Sequence, residues 1–189
     1  MRLLVALDVA PEIHAAVREL IEELRPLVHG ARWVETEGTH ITLKFIGETP
    51  EQKVGAISRQ LAAIHSGSPV EMRFHGLGFF PNERQPRVFW VAIEATPNLA
   101  ELADDIEAGL EAVGIPREQR AFHPHLTLAR FRVPARNPRL EERRSELAAR
   151  EFGRQTISEF YLYQSHLSPR GAEYRKLARF QFVRPHPAH

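Results

Sequence analysis

The chain has 189 residues, 43% of them hydrophobic, with 25 basic against 24 acidic side chains and a formal net charge of +1. That length and apolar content suit one larger domain or two small joined lobes, and the even charge balance carries no global signature of a nucleic-acid binder, so any anion must be met by a local basic patch. The absence of cysteine excludes disulfides, thiol nucleophiles and cysteine-ligated zinc.

Residues 2–9 read as a buried strand. The apolar run 3–7 is interrupted by Asp8 and Pro11, and is too short for a signal peptide or a membrane span; a cytoplasmic protein is expected. Pro11 suits the first position of a helix. Ile13, Val17, Leu20, Ile21, Leu24 and Val28 then follow helical spacing, which predicts an amphipathic helix over 11–28, ended by Gly30. A short strand is expected at 32–34 and another at 40–46. Thr49-Pro50-Glu51-Gln52 has the form of a capping box with proline at the first helical position, and Val54, Ile57, Leu61 and Ile64 give that helix its apolar stripe. Residues 70–80 read as a strand and 81–86 as a polar loop.

The pattern then restarts. Residues 3–8 (LLVALD) align with 89–94 (FWVAIE), an offset of 86 that also carries Pro11 to Pro97. A helix striped by Leu99, Leu102, Ile106, Leu110 and Val113 follows, with Thr96 as its cap. His40 recurs as His125, at an offset of 85, and Pro50 as Pro138 behind Asn137, at 88. The strand at 70–80 has a counterpart around 156–163. Each half therefore reads strand, helix, strand, helix, strand. This repeat, about 2–80 and 87–163, is too long for a solenoid and predicts two similar lobes about a pseudo-twofold axis within one domain, 1–189. Residues 165–182 read as a hairpin closing one sheet, turning at Pro169-Arg170-Gly171, and 184–189 as a polar tail.

The recurring strands carry the chemistry. His40-Ile41-Thr42-Leu43 and His125-Leu126-Thr127-Leu128 share one pattern. Side chains alternate along a strand, so each strand shows a histidine and a threonine on one face and buries its aliphatic residues on the other. The pseudo-twofold axis would set the two faces across one cleft. Imidazole moves protons near neutral pH; two of them allow one base and one acid, and two hydroxyls can donate to phosphate oxygens. That set suits attack of water at phosphorus with the leaving oxygen on the far side, without a metal, a cofactor or a covalent intermediate. Each proton transfer is worth about 10²- to 10⁴-fold.

Other residues bear on the same chemistry. Arg130 lies five positions after His125, an odd step that points it away from the catalytic face in an unbroken strand; a strand end or bulge would bring it to the phosphate as a substrate-binding residue. His123 is expected as a neighbouring surface histidine. Arg132, Arg136, Arg139, Arg143 and Arg144 form the most basic stretch, by default a solvated helix face and one candidate track for RNA. Phe45, Phe79, Phe80 and Trp90 fit core positions, with Phe79 or Phe80 the better candidate for base stacking. The remaining histidines, 14, 29, 65, 75, 166, 186 and 189, have no partner pattern.

The two His-x-Thr segments resemble the paired H-x-T-x signatures of the two-histidine phosphoesterases. More narrowly, 32–34 (RWV), 40–47 (HITLKFIG), 124–130 (PHLTLAR) and the late Ser165-x-Leu167…Gly171…Tyr174 resemble the RNA 2′,3′-cyclic phosphodiesterases, also called 2′-5′ RNA ligases. The resemblance implies an α+β fold of two pseudo-symmetric lobes, each an antiparallel sheet with helices on its outer face, around a central cleft. It implies hydrolysis of a terminal 2′,3′-cyclic phosphate to a 2′-phosphomonoester, with His40 as proton donor to the leaving 3′ oxygen and His125 as the acceptor that activates water. Joining of RNA ends through a 2′-5′ bond is the reverse chemistry. The expected partners are RNA with 2′,3′-cyclic phosphate ends or small cyclic nucleotides, met by a monomer away from membranes. Two rival readings use the same residues: a metal-dependent phosphodiesterase with the histidines as ligands, and a non-catalytic RNA-end binding protein.

Overall fold

The computed structural model describes residues 1–183; the tail expected at 184–189 lies outside them. The helices and strands run in the order β1 (Arg2–Leu7), α1 (Pro11–Leu24), β2 (Ala31–Trp33), β3 (Ile41–Glu48), α2 (Val54–Ala62), β4 (Val70–Phe80), β5 (Val88–Ala95), α3 (Asn98–Glu111), β6 (His125–Phe131), α4 (Pro138–Glu146), β7 (Glu151–Ile157), β8 (Glu159–Ser168) and β9 (Gly171–Gln181). They form two antiparallel sheets, one in the order β3-β1-β8-β9 and the other in the order β2-β6-β5-β4-β7. The fold is α+β, as expected.

Each sheet has a dry face and an open face. Leu3, Val5 and Leu7 of β1 enter the main core, together with Phe89 and Val91 of β5, Leu126 and Leu128 of β6, and the apolar stripes of α1, α2 and α3. Leu4 and Ala6 point the other way and pack on Tyr163 in a small separate cluster. That explains why all of β1 after Arg2 is buried: it is a central strand covered on both sides.

Helices α1 and α3 cross between sheets. α1 packs against β7 and α3 against β3, whereas α2 packs against β9 and α4 against β4. Thus α1, which follows β1 of the first sheet, covers the second; α3, which follows β5 of the second, covers the first. The strands are exchanged in the same way. β4, from the first half of the chain, borders β5, and β8, from the second half, borders β1. Each lobe is therefore assembled from both halves, and not from one half each. We take this reciprocal exchange as support for the repeat over 2–80 and 87–163 within a single bilobal domain. The counterpart of β4 differs from the expectation: the stretch around 156–163 is split at Ser158 into β7 and β8, which belong to different sheets.

The helix starts differ in part from the expectation. α1 opens on Pro11 and gives way after Leu24 to a 3₁₀ turn over Arg25–Leu27. The capping box at Thr49 does not form. The Thr49 hydroxyl donates to the Gly47 carbonyl, and a 3₁₀ turn over Glu51–Lys53 precedes α2. Thr96 likewise donates to the Asn98 side chain and leaves α3 without a side-chain cap. Asn137 does cap α4, accepting from the Leu140 amide, with Pro138 at the first helical position. The β8–β9 hairpin turns at Pro169-Arg170, as expected. Among the described residues no helix is long and apolar enough to cross a membrane.

Candidate active site

Both His/Thr strands carry a bulge at the same place. Along β3, Thr42 pairs with Ala6 but Lys44 pairs with Val5, leaving Leu43 over. Along β6, Thr127 pairs with Trp90 but Ala129 pairs with Phe89, leaving Leu128 over. An extra residue resets the alternation of faces. Leu43 with Lys44, and Leu128 with Ala129, are accordingly buried in succession. The residue after each buried pair returns to the face of the threonine. Cross-strand partners share a face, and the pairs Ala6 with Thr42 and Leu4 with Phe45 place Phe45 on the open face of the first sheet. The pairs Ala92 with His125, Trp90 with Thr127 and Val88 with Arg130 place Arg130 on the same face as His125 and Thr127. Arg32, opposite Arg130 on β2, shares that face.

His40 immediately precedes β3. Its ring packs against Tyr163, at 4.3 Å between centroids, and edge-on against Tyr174, at 4.7 Å. Behind Tyr163 lies a polar network. The Tyr163 hydroxyl donates to one carboxylate oxygen of Asp8, and Lys176 Nζ donates to the other at 2.5 Å while lying 4.0 Å above the Tyr161 ring. Burial pulls the His40 pKa down to about 4. Asp8 opposes that fall, and His14 and Lys176 add to it.

His125 opens β6. Phe80 meets it edge-on at 5.0 Å, and Trp90 and His123 complete the surround. Gly78 makes room for Trp90: a Cβ there would strike the indole ring. His125 Nδ1 lies 2.7 Å from the His123 carbonyl oxygen. A carbonyl only accepts, so Nδ1 carries a proton, and in the neutral ring Nε2 keeps its lone pair. Burial is the largest cause lowering the His125 pKa; the bond to His123 opposes it, while the charges of His123 and Arg130 add to it.

The two strands meet although they belong to different sheets: Cα atoms of β3 and β6 come within 8 Å of each other. The β8–β9 hairpin links the two surfaces. Its Tyr174 touches His40, and a Cβ on its Gly171 would lie 3.1 Å from Arg32 Nη2. One open sheet face carries Thr42, next to the half-buried His40, and the other carries the half-buried His125 with Thr127 and Arg130; the two sheets approach each other through β3 and β6. Such a set can take a proton on one side of a phosphate, give one on the other, and hold its oxygens. Among the described residues, no three His, Asp or Glu side chains gather as a metal site would require.

Several expectations change here. Arg130 falls under the exception left open for it: the bulge at Leu128 resets its phase and sets it on the face of His125. Phe45 is no core residue; it is 62% exposed. Phe79 is buried against Phe89 and not available to stack, whereas Phe80 lies against His125. His123 is exposed but orients His125 through its carbonyl. The basic stretch is largely paired: Arg136 with Glu141, Arg143 with Glu23 and Glu146, and Arg144 with Glu83. Sequence reasoning missed Asp8, Tyr163 and Lys176, since 155 residues separate Asp8 from Tyr163 and no local spacing connects them to His40. The one signal was Tyr161-x-Tyr163, two aromatics on one face of a strand.

A sequence model of the 2′-5′ RNA ligase superfamily matches residues 11–169. A protein of Archaeoglobus fulgidus named RNA 2′,3′-cyclic phosphodiesterase is 35% identical over 181 residues, covering 96% of this chain and 100% of the relative. One of the same name from Aeropyrum pernix is 38% identical over 146 residues, covering 76% and 82%. The crystal structure of TT0787 of Thermus thermophilus superposes with a TM-score of 0.79 at 33% identity, covering 96% of this chain and 98% of that one. Escherichia coli LigT complexed with 3′-AMP superposes with a TM-score of 0.75 at 25% identity, covering 97% and 98%.

Proposed function

Since the chain belongs to the 2′-5′ RNA ligase superfamily, we propose that it is an RNA 2′,3′-cyclic phosphodiesterase, a phosphoric diester hydrolase, that opens the cyclic phosphate to a 2′-phosphomonoester by histidine acid–base catalysis without a metal or cofactor. His125 takes the proton of the attacking water through Nε2. His40 gives a proton to the leaving 3′ oxygen. Thr42 and Thr127 donate to the non-bridging oxygens, and Arg130 offers positive charge from the same face as His125.

The observation that carries this reading is the reciprocal placement of two His-x-Thr segments on adjoining strands of different sheets. The hydrogen bond of His125 favours the assignment of roles. The bond from Nδ1 to His123 leaves His125 with a basic Nε2, as a proton acceptor needs. His40 lies between two tyrosine rings and within the field of Asp8. Asp8 favours the imidazolium, but burial outweighs it and holds the His40 pKa at about 4. The anionic phosphate, once bound, raises it again, as a proton donor needs. An RNA 5′-hydroxyl in place of water would run the chemistry backwards and form a 2′-5′ bond. We read the protein as cytoplasmic and monomeric.

The test is product analysis on an oligoribonucleotide ending in a 2′,3′-cyclic phosphate, with a chelator present. The expected product is the 2′-phosphate alone. Release of the 3′-phosphate, or turnover only after metal is restored, would overturn the reading.

A further inference from the structure

A second feature lies beside the histidines. A hollow of about 470 Å³ is lined by Arg32, Arg130, Phe131, Arg132, Pro169 and Arg170. Four of these six are arginines, all exposed, and no carboxylate lines the hollow. Among the described residues no ion pair neutralises any of the four. Elsewhere Arg136, Arg143, Arg144 and Arg150 each meet a glutamate; here four arginines gather around one space without one. Four unpaired guanidinium groups around one space repel one another; an anion between them removes that cost.

The hollow is tied to the site on both sides. Arg130 and Arg32 face each other across β6 and β2, on the face that carries His125 and Thr127. Thr127 and Arg130 are three residues apart on one strand, a span of about 10 Å. Arg170 comes from the hairpin of the other sheet, whose Tyr174 touches His40. A chain of phosphates leaving the two histidines along β6 would enter the hollow. Arginine's planar fork matches phosphate oxygens in pairs.

We propose that the Arg32–Arg130–Arg132–Arg170 hollow is a subsite for the internucleotide phosphates next to the terminal cyclic phosphate, and that it makes the protein select RNA strands over cyclic mononucleotides. The inference rests on the phosphodiesterase reading for what occupies the site, and its test is separable from that reading.

Fluorescence anisotropy with a labelled short RNA bearing a terminal 3′-phosphate measures the subsite directly, whether or not the protein turns anything over. The doubly substituted Arg32→Ala/Arg170→Ala protein should bind it about tenfold more weakly than wild type. Its log K against log[salt] slope should be shallower by about 0.7 for each phosphate that the arginines no longer neutralise. Arg170→Glu, a charge reversal in an exposed hairpin turn, should weaken binding at least as much. In steady-state assays the ratio of kcat/KM for a cyclic-ended oligonucleotide to that for a mononucleotide 2′,3′-cyclic phosphate should fall by a similar factor. Unchanged affinity and salt slope in both variants would overturn the subsite, as would an equal loss on oligomer and mononucleotide. Failure of the wild type to hydrolyse either substrate would overturn the phosphodiesterase reading, and the anisotropy result would still decide the subsite.

Discussion

His125 donates from Nδ1 to the backbone carbonyl of His123, two residues before it and 2.7 Å away, and among the described residues no corresponding bond holds His40. The two rings are therefore not interchangeable, although their motifs are. Removing the acid should matter less when the leaving group needs no proton. His40→Ala and His125→Ala should each lower kcat on a cyclic phosphate by about 10²- to 10⁴-fold. On an aryl phosphodiester with a stable phenolate leaving group, His40→Ala should recover much of its activity and His125→Ala should not. Recovery by His125→Ala instead would exchange the assigned roles.

Burial depresses both imidazoles, His40 to about 4. In the free protein the protonated donor is therefore scarce at neutral pH. Since kcat/KM reports free-enzyme ionisations, it should peak on the acid side of pH 6.5 and fall above it. Bound phosphate raises both pKa values, so the kcat profile should lie at higher pH than the kcat/KM profile. Stability follows from the same shift. The folded pKa of His40 is below its ordinary 6.5, so between those values the unfolded chain binds the extra proton. The unfolding free energy should fall as pH drops from 6.5 towards 4, by at most about 3 kcal/mol from this group. Urea titrations at pH 7 and pH 4.5, with His40→Ala showing the smaller difference, check the sign.

Asp8 and Lys176 act on His40 with opposite signs. Asp8→Asn removes the carboxylate that favours the imidazolium and should lower kcat/KM near neutral pH, where the protonated donor is scarce. Lys176→Met removes a repelling charge and should raise it. Both variants should change less on the aryl diester, because no proton is donated there. Equal changes on both substrates would mean that the Asp8–Tyr163–Lys176 network only holds the wall in place.

Much of this was visible in the chain because it is local. The paired motifs, the apolar stripes of α1 and α3, Pro138 behind Asn137 and the β8–β9 turn are set by neighbours a few residues apart. What was hidden depends on partners far along the chain. Which sheet a strand joins is decided by its pairing partner, so the exchange of β4 and β8 leaves no trace in the strand itself. The bulges at Leu43 and Leu128 exist only relative to β1 and β5. Strict alternation therefore could not decide the face of Arg130, which the sequence left to a bulge or strand end. The unpaired state of the four arginines is likewise a fact about tertiary neighbours, and composition averages it away.

Alternation alone would also set Lys44 on the face of His40 and Thr42. The bulge turns it inward instead, where it is 5% exposed. The corresponding residue of the other motif is Ala129, which needs no partner there. Lys44 does: its Nζ donates to Glu107 of α3 at 2.8 Å and to the Pro116 carbonyl at 2.7 Å. These bonds fasten α3 across β3 just after the His40–Thr42 segment. Removing one member of a buried pair strands the other charge and costs about 3–5 kcal/mol, whereas replacing both by apolar groups is often close to neutral. Glu107→Ala should therefore lower stability by about 3 kcal/mol or more in denaturant titration, with kcat reduced as β3 loosens under His40. Lys44→Met/Glu107→Leu should recover most of the stability. A Glu107→Ala protein as stable as wild type would show that water reaches Lys44 and that this pair does not anchor the strand.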